Sequence, residues 1–126
     1  MDFAALRRLL LALPGAFEDQ PFGPDTHVYK VRGRSAGRAK MFALVWTDGT
    51  TANLKADPAL GEQLRAAHEA ITPGYHMNKR HWVTVDCPAL PADMVGDLIE
   101  DSYDLVVASL PAADREALGW RWLAGD

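Results

Sequence analysis

The residues between Pro73 and Val85 read Pro-Gly-Tyr-His-Met-Asn-Lys-Arg-His-Trp-Val-Thr-Val, a turn-plus-strand dense in groups that can do chemistry. Its imidazoles can move protons or ligate a metal, and its basic and aromatic side chains can bond phosphates and stack on planar ligands. Read as a strand from Arg80 to Asp86, it puts Arg80, Trp82 and Thr84 on one face and His81, Val83 and Val85 on the other. If the valines face a core, Trp82 stands on the opposite face beside Arg80. A Trp–Arg pair serves as a stacking platform for bases or as a protein hot spot. The same residues also have a structural reading, with Trp82 a rivet under a loop and Pro73-Gly74 and Asn78 plain turn chemistry.

A second cluster is cationic. Lys30, Arg32, Arg34, Arg38 and Lys40 occur with no acid between Asp25 and Asp48. Alternation puts Lys30, Arg32 and Arg34 on one strand face at a spacing of roughly 7 Å. Two steps along one nucleic-acid strand also cover roughly 7 Å. Arg34-Ser35-Ala36-Gly37-Arg38 would form the protruding tip, a wing. The alternative is a solvated hairpin whose charges block strand-to-strand association.

Other chemistry has less support. Tyr75, His76 and His81, together with Cys87, would line a small-molecule or metal pocket if the fold closed around them. Two histidines and one cysteine without regular ligand spacing make no metal motif, so neither a metal nor a cofactor is expected. Ser102 sits on the apolar stripe of a helix, without a nucleophile elbow, and is expected to bond backbone rather than act as a nucleophile. No phosphate-cradling or dinucleotide glycine motif and no metalloprotease helix is present. A non-enzymatic protein is expected.

The elements that must hold these residues follow from periodicity. Phe3, Leu6, Leu9, Leu10 and Leu13 fall on one face of a helix over about 2–12, stopped by Pro14-Gly15. Residues 16–26 read as a loop and 27–33 as a strand. Lys40 to Thr47 is apolar on both faces, a central strand. Asp48-Gly49 is a hairpin turn leading to a strand over 50–55. Asp57-Pro58 caps a helix to about Ala70. Ile71 to Tyr75 is a short extended piece. A long helix runs to about Leu110, with Met94, Val95, Leu98, Ile99, Leu105, Val106 and Leu110 inward and carboxylates outward. A short helix over about 112–122 ends the chain. The order α-β-β-β-α-β(-β)-α-α predicts an α+β fold, a two-layer α/β sandwich with one antiparallel sheet of about five strands and helices on one face. The other face is left for water or a partner.

The chain of 126 residues, 48% hydrophobic and with one cysteine, suits a single domain spanning 1–126 in a reducing compartment. No stretch is long enough to span a membrane, and the expected location is cytoplasmic. The net charge of -4 argues against a bulk polyanion binder. The charge is bipolar, however: residues 1–85 are net basic and residues 86–126 strongly acidic, so a local basic patch can still dock on phosphate.

Several ordered blocks resemble the MmcQ/YjbR family, small bacterial proteins proposed to bind DNA. They are Leu13-Pro14-Gly15, Val28-Tyr29-Lys30-Val31, Lys40 to Leu44, Asn53-Leu54-Lys55 with Asp57-Pro58, Pro73 to Val85, and Ser102 to Val106. The run from His76 through Asn78 and Lys79 to His81-Trp82 is the most specific. The resemblance covers about residues 3–115. It implies a cytoplasmic α/β sandwich similar to frataxin-like (CyaY-like) and secretion-chaperone-like folds, with a double-wing surface. On this chain the wing corresponds to the Lys30–Lys40 hairpin and the signature surface to Asn78, Lys79, His81 and Trp82. The hairpin turn is longer and more basic than the family's usual connection.

The resulting expectation is a weakly sequence-selective DNA-binding domain. Lys30, Arg32, Arg34, Arg38 and Lys40 would contact phosphates, Asn78, Lys79 and Arg80 would extend the track, and Trp82 would stack. The alternative is a protein-interaction or chaperone-like adaptor anchored at Trp46 or Trp82 on the open sheet face, with the acidic C-terminal helix meeting a basic partner or, in a homodimer, the basic wing of a second copy. A shared basic-aromatic face would favour nucleic acid; an apolar groove without basic rims would favour protein.

Overall fold

Asp2 accepts a hydrogen bond from the Ala5 amide and so caps the first helix, α1 (Phe3–Leu11), which buries Leu6 and Leu10. The computed structural model describes residues 1–33 and 39–119. After α1 come β1 (Ala16–Asp19), β2 (Thr26–Val31), β3 (Lys40–Trp46), β4 (Thr51–Lys55), α2 (Pro58–Ala67), β5 (Ile71–Pro73), β6 (Trp82–Asp86), α3 (Ala92–Ala108) and α4 (Ala112–Leu118). The strands form one antiparallel sheet in the order β1-β2-β3-β4-β6-β5. This is the α+β sandwich expected, with six strands where the periodicity indicates about five.

The additional strand is β1, in a stretch that reads as loop. Its sequence, Ala-Phe-Glu-Asp, has no apolar alternation. Partners outside the strand hold it extended. Glu18 accepts from Arg7 of α1 (2.8 Å) and from the Tyr29 hydroxyl of β2 (2.6 Å). Burial alone would raise the Glu18 pKa, but the hydrogen bonds from Arg7 and Tyr29 outweigh it and keep the carboxyl below its ordinary value.

The core lies between the sheet and the helices. It joins Leu6 and Leu10 of α1, Tyr29 and Val31 of β2, Val45, Leu54, Val83 and Val85 of the central strands, and Val95, Ile99, Tyr103 and Val106 of α3. Alternation therefore leaves Val28, Lys30, Leu44, Trp46, Asn53, Thr84 and Trp82 on the open face.

A bulge interrupts this alternation. The β2–β3 register shifts between Tyr29 and Lys30, which face Ala43 and Met41, so Phe42 is the extra residue. Ser102 fills the irregularity: its hydroxyl donates to the Phe42 carbonyl (2.6 Å) and accepts from the Lys55 amide (2.9 Å). The structural reading of Ser102 holds. Ser102, Tyr103 and Val107 are buried on α3 as fully as the apolar residues that the helical pattern picks out, whereas Leu105 is only half-buried.

Candidate functional site

The open face is ordered in rows across the strands. One row runs from Phe17 to Lys30 to Met41 and continues as the pair Lys55 and Trp82. The next holds Asp19, Val28, Leu44, Asn53, Thr84 and Thr72. The third holds Thr26, Trp46, Thr51 and Asp86. The cations of this face, Lys30 and Lys55, therefore stand with Phe17 and Trp82 at one end of the strands, while Trp46 stands at the other.

The predicted cations divide. Arg32 is exposed and lies over the Phe17 ring, 4.7 Å from its centroid, so it belongs to the first row. Lys30 shares that face, but its ammonium is 3.1 Å from Asp19 Oδ2, which offsets part of its charge. Lys40 goes to the helix layer, where its amine donates to Ser109 Oγ (3.1 Å) at the C-terminus of α3. Arg34 and Arg38 lie outside the described residues.

The signature segment forms a loop across the open face, held by a buried polar relay. The Tyr75 amide donates to Thr84 Oγ1 (2.8 Å), and that hydroxyl donates to Asn53 Oδ1 (2.6 Å). Asn53 Nδ2 donates to the Tyr75 carbonyl (2.8 Å), so both backbone groups of Tyr75 are tied to the sheet. Asn53, at 0% exposure, is buried by this loop. The loop also needs Gly74: a Cβ there would come within 2.8 Å of Trp82 Cβ.

Asn78 is turn chemistry. Its Oδ1 accepts from the Arg80 amide and its carbonyl from the Trp82 amide. Lys79 folds back to donate to the Gly74 carbonyl (2.9 Å). Arg80 is exposed and precedes β6, which begins at Trp82, so it is a turn residue rather than the strand neighbour expected. Trp82 is half-buried on the open face.

Tyr75, His76, His81 and Cys87 do not share a pocket. His76 adopts a left-handed backbone (φ 59°) that brings its ring to 3.9 Å from that of Tyr75. His81 lies in the turn before β6, and its carbonyl accepts from the Ala56 amide. Cys87 is in the core on the helix side, where burial and then the Asp86 charge push its thiol pKa up to about 11. Among the described residues no group of three His, Cys, Asp or Glu could hold a metal ion, and no helix is long and apolar enough to cross a membrane.

In place of that pocket there is a groove of about 360 Å³ on the open face. Met41, Leu44, Trp46 and Thr26 make its floor. One wall is Tyr75, His76 and Met77; the other is Phe22, from the β1–β2 connection. Tyr75 meets Trp46 edge-on, ring centres 5.7 Å apart. Phe22 and Tyr75 are 69% and 56% exposed, so the groove is rimmed by two large aromatic side chains open to solvent. Sequence reasoning raised Trp46 and Tyr75 but missed Phe22 and Asn53. Phe22 stands alone between prolines and glycine, with no periodic pattern to mark it.

The sequence model of the YjbR family matches residues 11–105. The chain belongs to the YjbR family. It is 35% identical over 111 residues to the Escherichia coli O157:H7 protein called "Uncharacterized protein YbdF", covering 87% of this chain and 88% of that protein. "Uncharacterized protein YjbR" of Escherichia coli K12 is 31% identical over 121 residues, covering 94% and 98%. In three dimensions the chain is similar to the crystal structure of Deinococcus radiodurans protein DR2400, with a TM-score of 0.86, 40% identity, and 95% of this chain and 89% of that one covered. A protein from Pseudomonas syringae is similar at a TM-score of 0.70 with 29% identity, covering 83% and 98%. Relatives of this identity over most of the chain support the six-stranded sandwich.

Proposed function

We propose that this YjbR-family chain is a non-enzymatic nucleic-acid-binding domain that works through the open face of its sheet, with DNA as a ligand and little sequence selectivity. The observation that carries the reading is the row Phe17, Lys30, Met41, Lys55 and Trp82, with Arg32 over Phe17. Cations alternate there with aromatic and apolar side chains, the combination that follows a phosphodiester backbone and stacks on bases. Lys30 and Lys55 are two strands apart, roughly 10 Å. Arg80 adds an exposed charge from the loop. Lys40 and Lys79 are occupied within the protein, and Lys30 is partly offset by Asp19. Binding is therefore weak, with about three phosphate contacts and a log K against log salt slope near -3 on duplex DNA.

The test is fluorescence anisotropy of labelled DNA across a salt series, with a variant in which Arg32, Arg34 and Arg38 are changed to Ala. Micromolar binding that weakens with salt and is lost in the variant supports the reading. No binding at low salt, with the protein folded, refutes it. A protein partner is the second reading, favoured by the groove's lack of a lysine, arginine or carboxylate lining. Sedimentation of the chain alone, and with candidate apolar peptides, tests it.

A further inference from the structure

We infer that the groove over β2 and β3 receives one unpaired nucleobase, so that this protein prefers single-stranded nucleic acid to duplex. The inference rests on the nucleic-acid reading above and names the form of ligand it would take.

Three observations combine. The first is chemistry: the groove's floor and walls are aromatic, thioether and aliphatic, with a threonine hydroxyl and an imidazole for edge contacts and no formally charged lysine, arginine or carboxylate. Such a lining suits a neutral planar ring and rejects a phosphate. Thr26 and His76 can each donate or accept, so they do not select one base.

The second is preorganisation. Tyr75 is exposed as a side chain, yet its amide and carbonyl are both tied to the buried Asn53–Thr84 relay. The stacking surface is thus fixed before any ligand arrives, which lowers the ordering cost of binding. Phe22 faces it from the other wall, also exposed.

The third is charge complementarity. Met41 lines the groove and is the cross-strand neighbour of Lys30 in the cationic row. The groove therefore opens beside Lys30, and neighbouring rows on this face are roughly 7 Å apart. A nucleotide with its base in the groove places its phosphate over that row. A neutral apolar peptide anchor would use the lining but not Lys30, whose ammonium keeps part of its charge beside Asp19. Within a duplex the bases are paired and stacked, and none can enter without being flipped out.

The experiment compares three labelled ligands of equal length by anisotropy at fixed low salt: an oligothymidylate, a duplex, and a strand with abasic sites throughout. The expected result is about ten-fold tighter binding of the oligothymidylate than of the other two, on the scale of losing one base stack. Tyr75→Ala and Phe22→Ala should each weaken the single strand about five-fold or more and leave the duplex unchanged; Phe22→Ala keeps the test valid if Tyr75→Ala disturbs the loop. Lys30→Ala should weaken all three ligands. Equal affinities for all ligands, or no effect of either aromatic variant on single-strand binding, would overturn the base pocket and leave the nucleic-acid reading standing. No binding of any oligonucleotide would overturn both. Quenching of Trp emission by an apolar peptide but by no oligonucleotide would overturn the base pocket and assign the groove to a protein partner.

Discussion

Replacing Thr84 by Val keeps the side-chain shape and removes one hydroxyl, but that hydroxyl links three elements. It accepts from the Tyr75 amide at 2.8 Å and donates to Asn53 Oδ1 at 2.6 Å. Two hydrogen bonds are lost, each worth about 1 kcal/mol net. Asn53 is fully buried, so its Oδ1 is also left without that donor, at a further cost of about 1 kcal/mol or more. The Tyr75 amide belongs to an exposed loop residue and regains water, so it adds no second penalty. The total is about 3 kcal/mol. With a urea dependence of about 1.5 kcal/mol per molar, the unfolding midpoint should fall by about 2 M at unchanged slope. Release of the loop should also move Tyr75 off Trp46 and shift Trp emission to the red. A cycle with Asn53→Ala should be less than additive by about 1 kcal/mol, because each change breaks the same relay. A midpoint shift under about 0.3 M with unchanged emission, or an additive cycle, would refute the claim that this relay fixes the loop.

Three further outcomes follow from the packing. Ser102→Ala should cost about 2–3 kcal/mol by urea unfolding, because the Phe42 carbonyl and Lys55 amide lose their shared partner at the bulge. Glu18 has a folded pKa below its ordinary value, so its stabilisation is full above the unfolded pKa and is lost as pH falls through the folded one. Glu18→Gln should therefore lower the stability read from urea unfolding at pH 7, by about 1–2 kcal/mol for the lost Tyr29 hydrogen bond with the exposed Arg7 pair discounted, and have little effect once the pH is below the folded pKa. Cys87, buried and with its thiol pKa raised to about 11, should resist alkylation in native buffer at pH 8 and react promptly in denaturant, as followed by intact mass.

The helices and central strands were legible because their signals are local. Asp57 caps α2 through the Leu60 amide with Pro58 behind it, as the dipeptide indicates. Val83 and Val85 face the core, as alternation requires. The fate of Lys40 was not legible. Without the bulge at Phe42 it would share a face with Leu44 and Trp46; the extra residue turns it to the helix layer, where Ser109 receives it. Nothing in residues 40–46 alone announces that slip. β1 was missed for a similar reason, since its strand state rests on Arg7 and Tyr29 rather than on its own pattern.

The candidate site depends on the same kind of long-range coupling. By alternation Asn53 is a polar residue on an exposed sheet face, and its burial comes from a loop 22 positions later. That loop converts a flat open face into a groove, because Tyr75 and its neighbours stand over β3 while Phe22 closes the opposite side. Tyr75 and His76 could be named from sequence as chemically capable, but which partners they meet depends on the relay beneath them. The pocket that Tyr75, His76, His81 and Cys87 would line if the fold closed around them does not form, on the same ground. The sheet lies between the loop that carries His76 and the core that holds Cys87, a separation that spacing along the chain cannot reveal. Cations and aromatics meet on one face for a reason that alternation does supply: Lys30 on β2, Arg32 just past its end, and Phe17 opposite Lys30 on β1 must emerge on the same side. The basic-aromatic row could thus be reasoned out once β1 was known to be a strand, whereas the groove beside it required the folded loop.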